Sequence, residues 1–329
     1  MSPLHASVLP GFVIEMIHNP LALLVFSFLY ICVDAWGRDG HFITARLANS
    51  LLDKRGRNLL SDLLADGVTP MEDIFCNASV WADHVSDSRQ YKWSKSLHYI
   101  NIPDGVCDGF KFDRECAANC TVSAIVRFAQ IVEDVTSTRS NRIDSLRFLI
   151  HLIADLHQPL HVSFGRDKGG STLKIVPPTS LKRDRHGHPI SNISLHSAWD
   201  TDIIHYLLNK RSIDWKQLAD EMSAKASFTS SSLTDNDELN SLISIANNSA
   251  TITCTTGYVH ETGIWITAGD HLSTDYYDRA SNIVYDQLSK AGIHIASVLN
   301  SIGHTLYDDA GTDVSDDSGF ESSDSSVEP

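Results

Sequence analysis

The stretch FLIHLIADLHQPLHVSFGRDKGG, residues 148–170, places three histidines and one aspartate among mostly apolar residues within its eleven positions 151–161. Its first half has the apolar content of a buried helix, and Pro159 ends that helix because proline lacks the amide hydrogen that the helix requires. Burying His151, Asp155 and His161 costs free energy unless another group compensates for the water that they lose. The stretch therefore predicts a buried helix whose polar side chains share a binding partner.

Further histidines and aspartates occur in four other motifs. They are His41 in WGRDGH, Asp83 in SVWAD, His98 in LHYIN, and His196 with Asp200 in LHSAWD. In HLIAD and in HSAWD the two residues are four apart, which places both side chains on one face of a helix. One such pair is more often a surface contact. Two pairs in apolar surroundings favour a metal site, and histidine with aspartate suits zinc above all.

The number of these candidates indicates the kind of site. A structural zinc site needs four ligands and usually includes cysteine, whereas this set is larger and contains no cysteine. It therefore predicts more than one ion, with the open coordination positions that catalysis requires. His157 follows Asp155 by two residues and faces away, so we assign it to the core or to a supporting contact.

The sequence between residues 36 and 307 predicts a single, mainly α domain. Apolar residues recur three and four apart in HFITARLANSLLDKRGRNLLSDLLA, CTVSAIVRFAQIVEDV and RIDSLRFLIHLIADLH, as in amphipathic helices. A further long helix is predicted near the end of the domain, with Ser273 as its N-cap. Alternation typical of strands is scarce, and STLKIV, residues 171–176, is predicted to form one arm of a small β-hairpin.

Both ends of the chain differ in composition from this domain. Leu21–Val33 is an apolar run of thirteen residues, short for a membrane span and typical of a signal peptide, and VDA before Trp36 has the small-x-small pattern of a cleavage site. We expect residues 1–35 to be a signal peptide cleaved after Ala35; an uncleaved anchor is the alternative. Residues 308–329 carry eight acidic and no basic residues, and we expect a disordered tail.

The charge balance leaves the choice of partner open. The formal net charge is −15 at pH 7, but without the two terminal segments the chain retains 31 acidic against 26 basic residues. This balance neither supports nor excludes nucleic acid, because the local field near a site outweighs the sum over the chain.

The cysteines and sequons fit an oxidising compartment. Five cysteines follow the predicted signal peptide, so at most two disulfides form within the chain, and spacing alone does not fix their pairing. Sequons for N-glycosylation occur at Asn77, Asn119, Asn192 and Asn247. No later segment reaches membrane-spanning length, so we expect a soluble protein that is secreted or lumenal.

The motifs WGRDGH, SVWAD, LHYIN, HLIADLHQPLHV, KGG and LHSAWD, in this order, resemble those of the type I (S-one/P-one) nuclease family. A further block, ETGIWITAGDHLSTDYYDRASNIV, is also similar, so the resemblance extends from Trp36 to about residue 300. Members of this family are zinc-dependent single-strand nucleases and 3′-nucleotidases. The resemblance implies a mainly α, phospholipase C/nuclease-like fold around three zinc ions at the bottom of a cleft.

The resemblance also implies ligands for each ion. The first ion would be held by Asp83, His98, His151 and Asp155, and the second by His161, His196 and Asp200. The third would be held by His41, by Asp155 as a bridging carboxylate, and by the α-amino group and carbonyl of Trp36. A neutral amine is available only if Trp36 is the first residue, so cleavage after Ala35 would complete the site.

The activity implied is cleavage of single-stranded DNA and RNA to 5′-phosphate products, together with removal of the 3′-phosphate from 3′-nucleotides. Asp83 would orient the attacking water or accept its proton. Tyr99 is the candidate to stack on an unpaired base and Asn101 to bind the base edge, whereas Ser171 replaces a family asparagine in substrate binding. The family's disulfides imply Cys107–Cys254 and Cys116–Cys120, which leaves Cys76 free. No stable protein partner is implied, and we expect a monomer.

Two other readings remain open from the sequence. A zinc-dependent phospholipase C shares the trinuclear site and the N-terminal tryptophan ligand, and hydrolysis of phosphatidylcholine rather than DNA would identify it. A secreted zinc-binding protein without catalytic activity would retain zinc and leave DNA, RNA and 3′-AMP intact.

Overall fold

A computed structural model describes residues 36–116, 119–178, 192–226 and 235–307, with no account of the side chains of residues 235–237. The predicted signal peptide, residues 1–35, and the predicted acidic tail, residues 308–329, lie outside the described residues. The described part of the chain is mainly helical, and the predicted fold class is confirmed. The α-helices are α1 (Arg38–Leu51), α2 (Lys54–Leu64), α3 (Met71–Ser86), α4 (Phe112–Glu115), α5 (Thr121–Glu133), α6 (Arg139–Leu156), α7 (Leu195–Ser197), α8 (Ile203–Arg211), α9 (Trp215–Lys225), α10 (Asp235–Ile252) and α11 (Thr274–Tyr307).

Helix α6 is the central helix. Every residue from Phe148 to Leu156 is buried, and α6 contacts α3, α5 and α11. A helix that is apolar all round is stable only when other elements surround it, so its polar residues must be satisfied inside the protein. The helix ends at Leu156, and Pro159 begins a short 3₁₀ turn, Pro159–His161.

Helix α11 packs closely against α1 and α2 at two of its glycines. A Cβ atom at Gly292 would lie 2.6 Å from Leu47 on α1, and one at Gly303 would lie 2.6 Å from the backbone of Arg55 on α2. The absence of side chains at these positions therefore permits the close packing. The start of α11 is as predicted, because the hydroxyl of Ser273 accepts a hydrogen bond from the amide of Tyr276 at 3.0 Å.

Two short strand pairs complete the described part of the fold. β1 (Ile100–Ile102) and β2 (Val162–Phe164) are parallel, with Ile100 opposite Val162. β3 (Lys174–Ile175) and β4 (Ile193–Ser194) are antiparallel, which confirms the predicted small hairpin. The β1–β2 pair was not predicted, and it brings together the residues that directly precede the two strands.

Two disulfides link loops to helices. Cys107 is bonded to Cys254, with Cα atoms 5.9 Å apart, and Cys116 is bonded to Cys120. Cys76 is a buried free thiol, and burial raises its pKa to about 12. In the parts of the chain that the structure covers, no helix has both the length and the apolar character needed to cross a bilayer.

Candidate metal centre

The eight predicted histidine and aspartate ligands lie together and are all buried. His41 is on α1, Asp83 on α3, and His151 and Asp155 on α6. His161 directly precedes β2, and His98 lies two residues before the start of β1. The parallel strand pair therefore holds these two histidines close to each other. His196 and Asp200 come from the segment after β4. The side chains form three groups with ligand atoms within 4.8 Å of one another: His41, His151 and Asp155; Asp83, His98 and His151; His161, His196 and Asp200.

The group around His151 has one imidazole nitrogen at its centre. His151 Nδ1 donates to the carbonyl of Ser79 at 2.6 Å, so Nε2 is the nitrogen that remains available to a metal ion. Nε2 lies 3.0 Å from His98 Nδ1, 3.3 Å from Asp83 Oδ1 and 3.2 Å from Asp155 Oδ2. One nitrogen serves one ion, and these distances favour the group that also contains His98 and Asp83.

This assignment leaves His41 with one oxygen of Asp155. His41 Nε2 lies 3.4 Å from Asp155 Oδ1, whereas His98 faces the other oxygen of this carboxylate, Oδ2. The side chain of Trp36 is anchored next to this group, because its indole donates to the carbonyl of Ala154, the residue before Asp155, at 2.8 Å. The side chain of Trp36 is fully buried. The position of this residue therefore suits the predicted role of its backbone as a further ligand.

The third group is built on carbonyl groups. His161 Nδ1 donates to the carbonyl of His98 at 2.5 Å, and His196 Nδ1 donates to the carbonyl of Gly169 at 2.7 Å. The Nε2 atoms of both rings face Asp200. His161 Nε2 lies 3.9 Å from Asp200 Oδ1, and His196 Nε2 lies 3.3 Å from Asp200 Oδ2. The outer contacts therefore fix which nitrogen of each ring is available as a ligand.

The helix that carries His196 and Asp200 differs from the prediction. The sequence predicts one regular helix, whereas α7 is a single turn that continues as a π-helix, Ala198–Asp202. A π-helical turn is wider than an α-helical one and occurs often at functional sites. The two side chains nevertheless share a face, because the spacing of four residues is close to one turn of either helix.

Burial and neighbouring charges set the protonation of the cluster. Burial, together with the nearby His151, lowers the pKa of His41 to about 3, and burial with His161 lowers that of His196 to about 3. Burial alone would raise the pKa of Asp83 and Asp155, but the charge and hydrogen bond of His151, together with His98, outweigh it and lower both. Neutral imidazoles and ionised carboxylates are the forms that bind metal ions.

The residues present fit bound metal ions. Several buried ligand atoms in the cluster have no hydrogen-bond partner within the described structure, which costs free energy unless an ion satisfies them: His41 Nε2, Asp155 Oδ1 and Oδ2, His161 Nε2 and His196 Nε2. Nitrogen and carboxylate oxygen are the ligand set of zinc. The cluster therefore has the composition and the unsatisfied atoms of a multinuclear metal site.

The predicted substrate contacts lie beside this cluster, whereas His157 does not. Tyr99 and Asn101 are exposed at β1, and Tyr99 retains 45% of its accessible surface. The hydroxyl of Ser171 is buried, and no described residue hydrogen-bonds to it. His157 Nε2 lies 3.4 Å from His294 Nδ1, which places it in the core, as expected.

Sequence reasoning missed one residue that contacts a ligand. Gln158 is fully buried, its amide nitrogen donates to Asp200, and its carbonyl accepts from the amide of Leu160 at 2.5 Å. Its position before Pro159, between two histidines, was the only signal available. Gln158 therefore orients a carboxylate of the site without contacting an ion itself.

A mainly helical protein with clustered, buried histidines and aspartates has the kind of site that metal-dependent hydrolases use. Residues 36–304 match the family model described as S1/P1 Nuclease, and the chain belongs to that family. It is therefore a nuclease, a hydrolase of phosphodiester bonds with nucleic acid as its substrate class.

Curated relatives carry the same kind of name. The chain is similar to "Endonuclease 1" of Arabidopsis thaliana, with 29% identity over 85% of this chain and 92% of the relative. It is also similar to "Nuclease S1" of Aspergillus oryzae, with 26% identity over 81% and 91%. Among solved structures, the alpha-toxin of Clostridium perfringens gives a TM-score of 0.42 at 12% identity, over 85% of this chain and 66% of the toxin. A likeness at that level bears on neither fold nor reaction.

Proposed function

We propose that this nuclease is a secreted, zinc-dependent phosphodiesterase that cleaves single-stranded DNA and RNA to 5′-phosphate products and removes the 3′-phosphate from 3′-nucleotides. The observation that carries the proposal is the set of three His/Asp groups whose ligand atoms are buried and close together. Several of these atoms have no hydrogen-bond partner among the described residues: His41 Nε2, both oxygens of Asp155, His161 Nε2 and His196 Nε2. A chain of this family needs such a site for hydrolysis, and no other cluster of this composition is present in the described residues.

Three zinc ions would be held by the sets that the family resemblance implies. Asp83, His98, His151 and Asp155 would hold the first, and His161, His196 and Asp200 the second. His41 and Asp155, with the α-amino group and carbonyl of Trp36, would hold the third. When bound, zinc supplies Lewis acidity that polarises a phosphate ester and makes water a stronger acid.

Asp83 is the proposed catalytic residue. Its carboxylate is 7% exposed, and one of its oxygens lies 3.3 Å from His151 Nε2 and 3.4 Å from His98 Nδ1. Burial opposes ionisation, but His151 lowers the pKa of Asp83, so the group is an anion that can orient a water molecule or accept its proton.

Single-strand preference would follow from Tyr99 and its neighbours. An aromatic ring can stack on a base only when the base is unpaired, and Tyr99 is exposed beside ligand His98. Asn101 lies on the same side of β1 by strand alternation and would bind the base edge. Ser171, which stands where family members have asparagine, is the third residue proposed to take part in substrate binding.

Processing and location belong to the same proposal. Residues 1–35 would be removed as a signal peptide, residues 36–307 would form the catalytic domain, and residues 308–329 the acidic tail. The mature protein would be a secreted monomer with glycans at exposed sequons; the asparagines concerned are Asn77, Asn119, Asn192 and Asn247. The two disulfides are suited to an oxidising compartment.

The proposal is tested on the secreted protein by N-terminal sequencing, by elemental analysis for zinc, and by assays on single-stranded DNA, RNA, 3′-AMP and phosphatidylcholine. We expect a start at Trp36, three zinc ions, and cleavage of the first three substrates that Asp83→Asn abolishes. Asp87→Asn, an exposed aspartate directly after α3, is the matched control and should retain activity.

Each alternative has its own result. Zinc binding with all three nucleotide substrates intact would indicate a binding protein without catalytic activity, and preferential hydrolysis of phosphatidylcholine would indicate a phospholipase C. Protein without zinc after gentle purification would refute the metal centre.

A further inference from the structure

Trp265 is an exposed aromatic residue on a rigid turn. It retains 43% of its accessible surface, and its ring packs beside Phe164 and Tyr258, with centroids 5.8 Å and 6.4 Å away. Backbone hydrogen bonds close the turn on both sides: His260 N to Ile264 O at 2.8 Å and Ile266 N to Tyr258 O at 2.8 Å. Scattered exposed apolar residues are normal on a protein surface. The position of this one relative to the metal centre distinguishes it.

The strand pair β1–β2 connects Trp265 to the metal centre. β2 begins directly after ligand His161 and ends at Phe164, so the aromatic pair of Phe164 and Trp265 starts about 10 Å from that ligand along the strand. Asn101 and Ser163 are partners in the register of the pair, and Ser163 donates a hydrogen bond of 3.4 Å to the hydroxyl of Tyr258. The exposed side chain of Asn101 on β1 and the ring of Trp265 therefore lie beside one strand pair that extends from the His/Asp cluster.

The loop after β2 carries two exposed cationic side chains, close in sequence to the carboxylate of Asp167 and held to that of Asp104 through a backbone amide. Arg166 and Lys168 are exposed, and neither forms an ion pair with any acidic side chain in the described part of the chain. The nearby acids have other contacts: Asp167 accepts hydrogen bonds from Tyr258 and from the amide of Gly170, and Asp104 accepts one from the amide of Arg166. Basic side chains next to an exposed aromatic ring are the combination that binds single-stranded nucleic acid.

Lys168 is also held in an uncommon backbone conformation. Its φ angle is +55°, and the next residue, Gly169, supplies the carbonyl that holds ligand His196. A left-handed conformation at a residue other than glycine costs free energy and is often found at functional sites. The turn therefore holds the backbone of Lys168 next to the residue that supports His196.

We propose that Trp265 stacks on a base of the single-stranded substrate a few nucleotides from the bond that is cleaved, with Arg166 and Lys168 contacting the intervening phosphates. This inference rests on the proposed single-strand nuclease activity and extends it. The surface defined by Trp265, Arg166 and Lys168 makes the enzyme sensitive to substrate length, because a dinucleotide is too short to reach Trp265 from the metal centre.

The test compares wild type, Trp265→Leu and Trp265→Phe on an oligothymidylate of roughly twelve nucleotides, a length within the range that one such surface binds, and on a dinucleotide. Leucine retains apolar packing against Phe164 but cannot stack on a base. We expect Trp265→Leu to raise KM for the long substrate roughly 5- to 100-fold, the effect of losing one base–aromatic stack, with kcat and the dinucleotide reaction unchanged. Trp265→Phe should restore most of the loss. Ile264→Ala, an adjacent residue that is 66% exposed, is the matched control and should behave as wild type.

Binding of a fluorescent phosphorothioate oligonucleotide to the zinc-loaded protein separates the two proposals. Cleavage of the long substrate with equal KM for wild type and Trp265→Leu would overturn the inference while leaving the nuclease proposal intact. If the phosphorothioate oligonucleotide bound more weakly to Trp265→Leu than to wild type, but the wild type did not cleave the ordinary oligothymidylate, the proposed reaction would be overturned and the Trp265 surface supported. An equal rise in KM for the dinucleotide would place Trp265 in the metal centre itself and would also overturn the inference.

Discussion

Retention of a single residue before Trp36 should remove one zinc ion. In the structure, the His41 group offers two side-chain ligands to an ion of its own: His41 Nε2 and Asp155 Oδ1, which are 3.4 Å apart. Zinc takes four ligands, so two must come from elsewhere, and the α-amino group and carbonyl of Trp36 are the proposed source. If Ala35 is retained, that amine becomes an amide nitrogen, which is not a ligand in its protonated form.

The magnitude follows from this ligand count. A chain that begins at Trp36 should bind three zinc ions, and a chain that begins at Ala35 should bind two. At free zinc about 100-fold above the dissociation constant, one ion contributes ~2.7 kcal/mol to stability. In a domain of this size each kcal/mol shifts Tm by roughly 2–4 °C, so Tm should fall by roughly 5–11 °C at this zinc level. We expect kcat/KM on single-stranded DNA to fall by roughly 10²–10³, the usual effect of removing one group that stabilises the transition state.

The assay measures zinc per chain, Tm and kcat/KM on both proteins, alone and combined with two substitutions. His41→Ala removes the same ion and should add little to the effect of Ala35, whereas Asp200→Asn removes a different ion and should reduce the count again to one. A chain that retains Ala35, binds three ions and keeps full activity would refute the ligand assignment for Trp36.

Three further predictions concern other parts of the molecule. Gln158→Leu should weaken binding of one zinc ion roughly 10- to 100-fold, measured by competition with a chelator, because Asp200 loses its hydrogen-bond donor; unchanged affinity would contradict this role. Burial lowers the pKa of His294 to about 4 from 6.5, so the unfolded chain binds more protons and stability should fall as pH drops from about 6.5 to 4; His294→Leu should reduce that loss by about 1–3 kcal/mol in urea titrations, and equal pH profiles would disprove the claim. Cys76 should not react with a thiol reagent at pH 8 in the folded protein, and denaturation should expose one thiol per chain after signal cleavage; a count of two would show that Cys32 is retained.

The helices and the candidate histidines and aspartates of the cluster were accessible from the sequence because their signals are local. Apolar periodicity predicts α1, α2, α5 and α6, and the four-residue spacing of His151 and Asp155 places them on one face of α6. The family motifs then supply the order in which the other ligands occur. These features depend on residue type and spacing, which a single sequence displays.

The contacts around the ligands were not accessible in the same way. β1 and β2 have three residues each and are far apart in the chain, so no local pattern indicates that they pair. The carbonyl groups of Ser79, His98 and Gly169 hold three imidazoles, and a backbone carbonyl has no signature in residue type. Only tertiary packing decides which carbonyl lies opposite which ring.

These backbone contacts have an electrostatic consequence. A carboxylate opposite each imidazole would add negative charge to the centre, but the carbonyl groups of Ser79, His98 and Gly169 are neutral. The proposed ligands would therefore contribute three carboxylates, from Asp83, Asp155 and Asp200, which would offset half the charge of the three proposed divalent ions. A chain with a net charge of −15 would then have a cationic interior site, and the field of that site would attract a polyanion that the rest of the surface would repel.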